Sequence, residues 1–86
     1  MVNYSYSKWY IAKCNLNGEK VNKKFVNWIN SVEAQVYEVL CCDLLDLPDE
    51  QYFISFENNI SSKEFANYII NENCHFVMNN AYKVYL

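Results

Sequence analysis

Cysteine and histidine are the residue types in this chain that could bind a metal ion or attack a substrate. Cys41 and Cys42 are adjacent, Cys74 and His75 are adjacent, and Cys14 stands alone. Zinc ligands usually come as pairs separated by roughly two to four residues in a loop. His75 is the only histidine, so a cysteine nucleophile has one candidate base. We therefore predict no metal site, no cofactor and no catalytic residue, and we expect free thiols.

Other kinds of catalytic site have little support in the sequence. Gly18 is the only glycine, which excludes the glycine-rich loops that bind phosphates in nucleotide-binding enzymes. Carboxylate pairs do occur, such as Asp43 with Asp46, and Asp49 with Glu50. Nothing near them suggests a substrate pocket, and paired acids at a helix end are usually solvated. We expect the protein not to be an enzyme.

The most distinctive chemical feature is a purely acidic span. Between Phe25 and Ser62 there are seven carboxylates and no Lys or Arg. The seven are Glu33, Glu38, Asp43, Asp46, Asp49, Glu50 and Glu57. Complementary charge raises association rates and selects partners. We predict that these residues bind a protein with a basic surface; the alternative is that they form an ordinary solvated face.

The first 24 residues carry the opposite charge, with five Lys and one Glu. Their lysines and aromatic residues could neutralise and stack on a nucleic-acid single strand. The residues concerned are Lys8, Trp9, Tyr10, Lys13, Lys20, Lys23 and Lys24. The alternative is that Trp9 and Ile11 are core and the lysines protect a sheet edge. Because the net charge is −3 and Arg is absent, direct nucleic-acid binding is not expected.

The elements that would position these residues form one domain over residues 1–86. Residues 8–16 are rich in β-forming residues and predict a strand. Asn17-Gly18 is typical of a type I′ turn, which predicts a hairpin with residues 19–28 as the returning strand.

A helix is predicted from Asn30 to about Asp46, opened by a capping box between Asn30 and Glu33 and closed before Pro48. Its predicted core face consists of Val32, Val36, Val39, Leu40 and Leu44. Its back consists of Ala34, Cys41 and Leu45, which could meet a second copy.

The second half predicts a strand over residues 52–57, because its aromatic and apolar residues alternate. Ser61 and Glu64 form a capping box that opens a helix to about Glu72. Residues 74–78 and 81–86 read as two strands joined at Asn79-Asn80. The order ββ-α-β-α-ββ predicts an α+β two-layer sandwich, with a mainly antiparallel sheet and both helices on one face.

These observations favour a small non-enzymatic protein-binding module. Its sharper form is a phage- or virus-encoded inhibitor, a nucleic-acid mimic whose acidic face blocks a basic, nucleic-acid-binding site on a host protein. The many Asn and the absence of Arg suggest an AT-rich gene, which is typical of such sources. The alternatives are a homo-oligomeric structural protein, such as a homodimer, and a single-strand nucleic-acid binder. No apolar run is long enough for a membrane span and no signal peptide is evident, so we expect a cytoplasmic protein, in the host cell if viral.

Overall fold

A computed structural model describes the backbone of residues 5–85 and the side chains of residues 5–73. It has four α-helices and one 3₁₀ turn: α1 (Tyr6–Asn17), α2 (Lys23–Leu40), the 3₁₀ turn (Leu44–Asp46), α3 (Tyr52–Glu57) and α4 (Ser62–Tyr85). Residues 5–85 contain no strand. The predicted α+β sandwich with an antiparallel sheet is therefore wrong, and the described chain is all-helical.

The central element is α2, which packs against α1, α3 and α4. Its buried residues recur every three or four positions: Phe25, Ile29, Val32, Val36 and Leu40. Leu44, Tyr52, Phe65, Ala66 and Ile69 complete the core. Four of the five predicted core positions of this region are buried, while Val39 is 57% exposed.

The predicted N-terminal hairpin is wrong, because residues 8–16 lie within α1. Tyr6, Tyr10 and Cys14 are spaced by four residues and turn toward the protein, where both tyrosine rings contact Phe25. This packing outweighs the β-propensity of the segment. Gly18 has φ +70° and ends α1 as its C-cap. The left-handed conformation expected of Asn-Gly is thus present, but it ends a helix.

The predicted bounds of the central helix are also wrong. Asn22 is the N-cap of α2, and its side chain accepts a hydrogen bond from the Phe25 N–H at 3.1 Å. Residues 23–28 are therefore helical where a returning strand was predicted, and Asn30 lies inside the helix. The helix ends at Leu40 because Cys41 adopts a left-handed φ of 57°. The predicted back residues Ala34, Cys41 and Leu45 are all exposed.

The second half contains helices in place of the predicted strands. Residues 52–57 form α3, whose Tyr52 and Phe56 are one helical turn apart and face the core. The start of α4 agrees with the prediction, since the Ser61 hydroxyl accepts a hydrogen bond from the Glu64 N–H at 3.1 Å. The helix then continues to Tyr85 through the two segments predicted as strands. The predicted end of the last strand, Leu86, lies outside the described residues.

Candidate functional site

Glu33, the first of the seven predicted binding residues, is 8% exposed and holds α1 against α2. Its two carboxylate oxygens accept hydrogen bonds from the backbone N–H groups of Tyr6 at 2.9 Å and Ser7 at 3.1 Å. These donors belong to the first turn of α1, where the helix dipole favours a negative charge. Glu33 thus satisfies N–H groups that the helix itself leaves unpaired, and it lies below the surface that a partner could contact.

The other six carboxylates are distributed over several elements. Glu38 is exposed on α2, and Glu57 is exposed at the end of α3. Asp43 precedes the 3₁₀ turn and Asp46 is its last residue, and the Asp43 N–H donates to an Asp46 carboxylate oxygen at 3.3 Å. Asp49 and Glu50 remain, and these two line the same groove. The structure therefore brings together two of the predicted residues and adds others from α4.

This acidic groove has a volume of about 650 Å³ and lies between the segment that precedes α3 and the first turns of α4. Its lining consists of Asp49, Glu50, Gln51, Ser55, Ile60, Glu64, Phe65 and Tyr68. Three of these residues are carboxylates, and among the described residues the lining includes no lysine. Ile60, Phe65 and Tyr68 add an apolar and aromatic component. The groove can therefore offer both charge and apolar contact.

Local structure fixes the two walls of the groove. Pro48 follows Leu47, which has extended backbone angles, so the chain leaves the 3₁₀ turn without forming a helix. On the other side, the Trp28 indole N–H donates to the Ile60 carbonyl at 2.8 Å, which ties the loop before α4 to α2. Phe65 is buried and anchors α4 to the core. The acidic side chains are thus held on a constrained frame.

The Tyr68 phenol is affected by two carboxylates that are distant from each other in sequence, Glu50 and Glu72. The pKa of the Tyr68 phenol is raised chiefly by the negative charge of Glu50, then by partial burial, and then by Glu72. Glu64, Tyr68 and Glu72 are spaced by four residues, so they lie along one face of α4. Glu50 approaches that face from the opposite wall of the groove. The spacing of Glu64, Tyr68 and Glu72 is a sequence signal that could have identified this wall.

Tyr52 lies behind these residues, and its hydroxyl oxygen has no hydrogen-bond partner among the described residues. The side chain is 2% exposed, and its ring lies 4.5 Å from that of Tyr6 and 5.5 Å from that of Phe65, centre to centre. Burial raises the pKa of the Tyr52 phenol well above its ordinary value of 10, and nearby acidic groups, Glu50 first, raise it further. The phenol is therefore held in its neutral form.

We expect Tyr52→Phe to raise the free energy of unfolding by about 1 kcal/mol, because it removes a buried polar group that lacks a partner. The raised pKa predicts that the wild type loses stability as the pH rises above about 10, because the Tyr52 phenol then ionises in the unfolded chain but stays neutral in the folded one. Urea unfolding at neutral and alkaline pH measures both effects. Tyr37→Phe, at an exposed tyrosine, is the control. Equal alkaline loss in Tyr52→Phe and the wild type would contradict the assignment.

The thiols show no arrangement for chemistry in the described part of the chain. Cys14, Cys41 and Cys42 are free, and burial followed by the charges of Asp46 and Asp43 raises the pKa of the Cys42 thiol. A raised thiol pKa disfavours the nucleophilic thiolate. No group of three or more His, Cys, Asp and Glu side chains within residues 5–73 could hold a metal ion. The side chains of Cys74 and His75 lie outside the described residues.

The lysines and aromatic residues of the alternative function, binding of a nucleic-acid single strand, make contacts within the protein. The Lys13 ammonium lies 4.9 Å from the centre of the Trp9 ring, and the centres of the Tyr6 and Trp9 rings are 5.2 Å apart. The ring of Tyr10 packs against Phe25, and its hydroxyl accepts a hydrogen bond from the Asn22 N–H. Both aromatic residues are thus engaged with the chain's own residues.

Two further findings do not concern a particular site. Of the helices in the described part of the chain, none combines the length and the apolar character that crossing a membrane requires. Comparison of the sequence and the fold with protein-family models, with curated proteins and with solved structures gives no match.

Proposed function

We propose that the chain is a non-enzymatic protein-binding module whose acidic groove takes a basic segment of a partner protein. The observation that carries this proposal is the convergence of Asp49, Glu50 and Glu64 on one concave site with an aromatic wall. Charge selects a basic partner and speeds its approach, while the aromatic wall supplies short-range contact.

The groove suits lysine or arginine side chains in particular. Their charged ends can pair with the carboxylates, while their aliphatic stems cover the apolar lining. The half-exposed ring of Tyr68 offers a face for a cation. A basic segment with an adjacent apolar residue would use the charged rim and also the accessible surfaces of Ile60 and Tyr68.

An inhibitory role is the sharper form of this proposal. A basic surface that binds nucleic-acid phosphates is also complementary to a set of clustered carboxylates, so the module would compete for that surface. Asp49 and Glu50 are the members of the original acidic set that support this role, joined by Glu64. We propose a cytoplasmic location, where thiols such as those of Cys14, Cys41 and Cys42 stay reduced.

Charge reversal in the groove tests the proposal. We expect E50K/E64K to reduce capture of basic proteins from a cell lysate by at least about tenfold at low salt, because it removes two attractive charges and adds two repulsive ones. The matched control is E38K/E57K, which changes the net charge equally at exposed carboxylates outside the groove lining. Quantitative mass spectrometry compares the proteins captured by the wild type, E50K/E64K and E38K/E57K. Circular dichroism checks that the three proteins have equal helix content.

The E38K/E57K control distinguishes binding in the groove from binding caused by the overall negative charge of the protein. Equal loss of capture by E50K/E64K and E38K/E57K would show that overall charge alone binds the partner. Full capture by E50K/E64K would place the binding surface elsewhere. Either result would overturn the groove as the functional site.

A further inference from the structure

Residues 20–24, the lysine segment, lead into the first turn of α2 and carry the opposite charge to the acidic groove. The exposed lysines of the segment are Lys20, Lys23 and Lys24, which line an open cavity of about 540 Å³ together with Val21 and Asn22. Among the described residues this lining has no carboxylate, and the first turn of α2 has no acidic residue. A helix N-terminus already bears partial positive charge, so lysines there are electrostatically unfavourable. Glu19 directly precedes Lys20 and is one negative charge beside three lysines, so the segment keeps a local excess of positive charge.

The lysine segment is held in place on both sides. The Asn22 N–H donates to the Tyr10 hydroxyl at 3.1 Å, which joins the segment to α1. The Asn22 side chain accepts from the Phe25 N–H, which fixes the first turn of α2. Gly18 ends α1 just before the segment. Because the backbone is already ordered, little conformational entropy would be lost when it binds.

The lysine segment and the acidic groove are complementary and separate. One presents three ammonium groups around Val21, and the other presents three carboxylates beside an apolar and aromatic lining. The two linings share no residue. When complementary surfaces lie at different places on one molecule and each pairing uses one surface from each copy, the contact is heterologous and each copy binds two neighbours.

We propose that the basic segment taken by the acidic groove is the segment Lys20–Lys24 of a second copy of this chain, so that copies associate head to tail. This inference rests on the proposed function, because it names the partner of the same groove. The lysines pair with Asp49, Glu50 and Glu64, and Val21 contacts the apolar lining. Such a contact repeats from copy to copy and is not closed by two-fold symmetry.

Sedimentation velocity of the full chain over a concentration series tests this contact. At low salt the wild type is expected to form larger species as its concentration rises, and high salt should reverse this by screening the charges. Both E50K/E64K and K20E/K23E should weaken self-association by at least about tenfold. E38K/E57K, with the same charge change as the groove variant, should retain it.

Mixing the two interface variants gives the sharpest result. For mixing, each surface is made neutral, as E50Q/E64Q and K20Q/K23Q, because the charge-reversed surfaces would attract each other and form a second contact. E50Q/E64Q keeps an intact lysine segment and K20Q/K23Q keeps an intact groove, so one contact can form between unlike chains. The expected product is a one-to-one heterodimer that grows no further. A mixture that remains monomeric, or a groove variant that self-associates like the wild type, would overturn the head-to-tail contact.

The failure of this inference can be told apart from failure of the proposed function. A wild-type protein that stays monomeric at low salt, yet captures another basic protein through Glu50 and Glu64, would overturn only the self-association. Loss of both self-association and groove-dependent capture would overturn both proposals.

Discussion

Phe25→Ala is expected to remove most of the free energy of unfolding. The Phe25 side chain is fully buried at the start of α2. Its ring centre lies 4.8 to 6.4 Å from those of five other aromatic residues: Tyr6, Tyr10, Trp28, Phe53 and Phe56. Removing a buried phenylalanine ring costs about 3–5 kcal/mol. A domain of this size has a total stability near the low end of about 5–15 kcal/mol.

Urea unfolding followed by circular dichroism measures this loss. Val39→Ala is the control on the same helix, because Val39 is 57% exposed, and it should change the free energy of unfolding by about 0.5 kcal/mol or less. Similar effects of the two substitutions would contradict the burial of Phe25 at the junction of α1, α2 and α3.

Glu33→Gln is expected to destabilise the attachment of α1 by about 2 kcal/mol. The glutamine oxygen can accept one of the two backbone hydrogen bonds, but its NH₂ group would face the other N–H donor. Loss of the negative charge also removes a favourable interaction with the α1 dipole. An effect of this size raises the population with α1 detached by up to roughly thirtyfold.

Thiol labelling detects this detachment directly. Cys14 is buried on α1, whereas Cys41 is exposed at the end of α2 and serves as an internal control. We expect Glu33→Gln to speed the labelling of Cys14 and to leave Cys41 unchanged. Glu38→Gln, at an exposed glutamate of the same helix, should change neither rate. Unchanged labelling of Cys14 in Glu33→Gln would contradict the role of Glu33 as the anchor of α1.

Sequence periodicity correctly located much of the core. Val32, Val36 and Leu40 follow helical spacing, and Ser61 marks a helix start with a conventional cap. The same spacing extends back through Phe25 and Ile29, so the true start of α2 was visible in the sequence. The Asn30 cap signal competed with it, and Asn22 proved to be the residue that caps the helix.

The predicted strands failed for two reasons: residues 8–16 were interpreted from β-propensity, and residues 52–57 from an alternation that also fits one turn of helix. Residues 8–16 and 52–57 are rich in aromatic and β-branched residues, which favour strands by propensity. Tyr6 and Tyr10, like Tyr52 and Phe56, are also one helical turn apart. In short segments both patterns fit, and tertiary packing against Phe25 selects the helix. The left-handed backbone at Cys41, which ends α2, could not be predicted from the residue type, because glycine and asparagine are the usual residues at such a position.

The candidate site was only partly accessible from the sequence. A purely acidic span indicates that charge is concentrated, but it does not show which carboxylates share a surface. Glu33 is used inside the fold, and Asp49 and Glu50 meet Glu64 through tertiary structure. Glu64 had been assigned to helix capping alone. Its spacing with Tyr68 and Glu72 indicated a helix face but could not indicate what lies opposite it.

Mapping where a basic ligand binds tests the acidic groove most directly. Isotope-labelled protein would be titrated at low salt with an oligolysine peptide, and backbone amide shifts would be followed by nuclear magnetic resonance. We predict that the largest shifts fall at residues 49–51, 55, 60 and 64–68 and disappear in E50K/E64K. Shifts centred on Glu38 and Glu57, or spread evenly over the acidic residues, would contradict the groove as the site of binding.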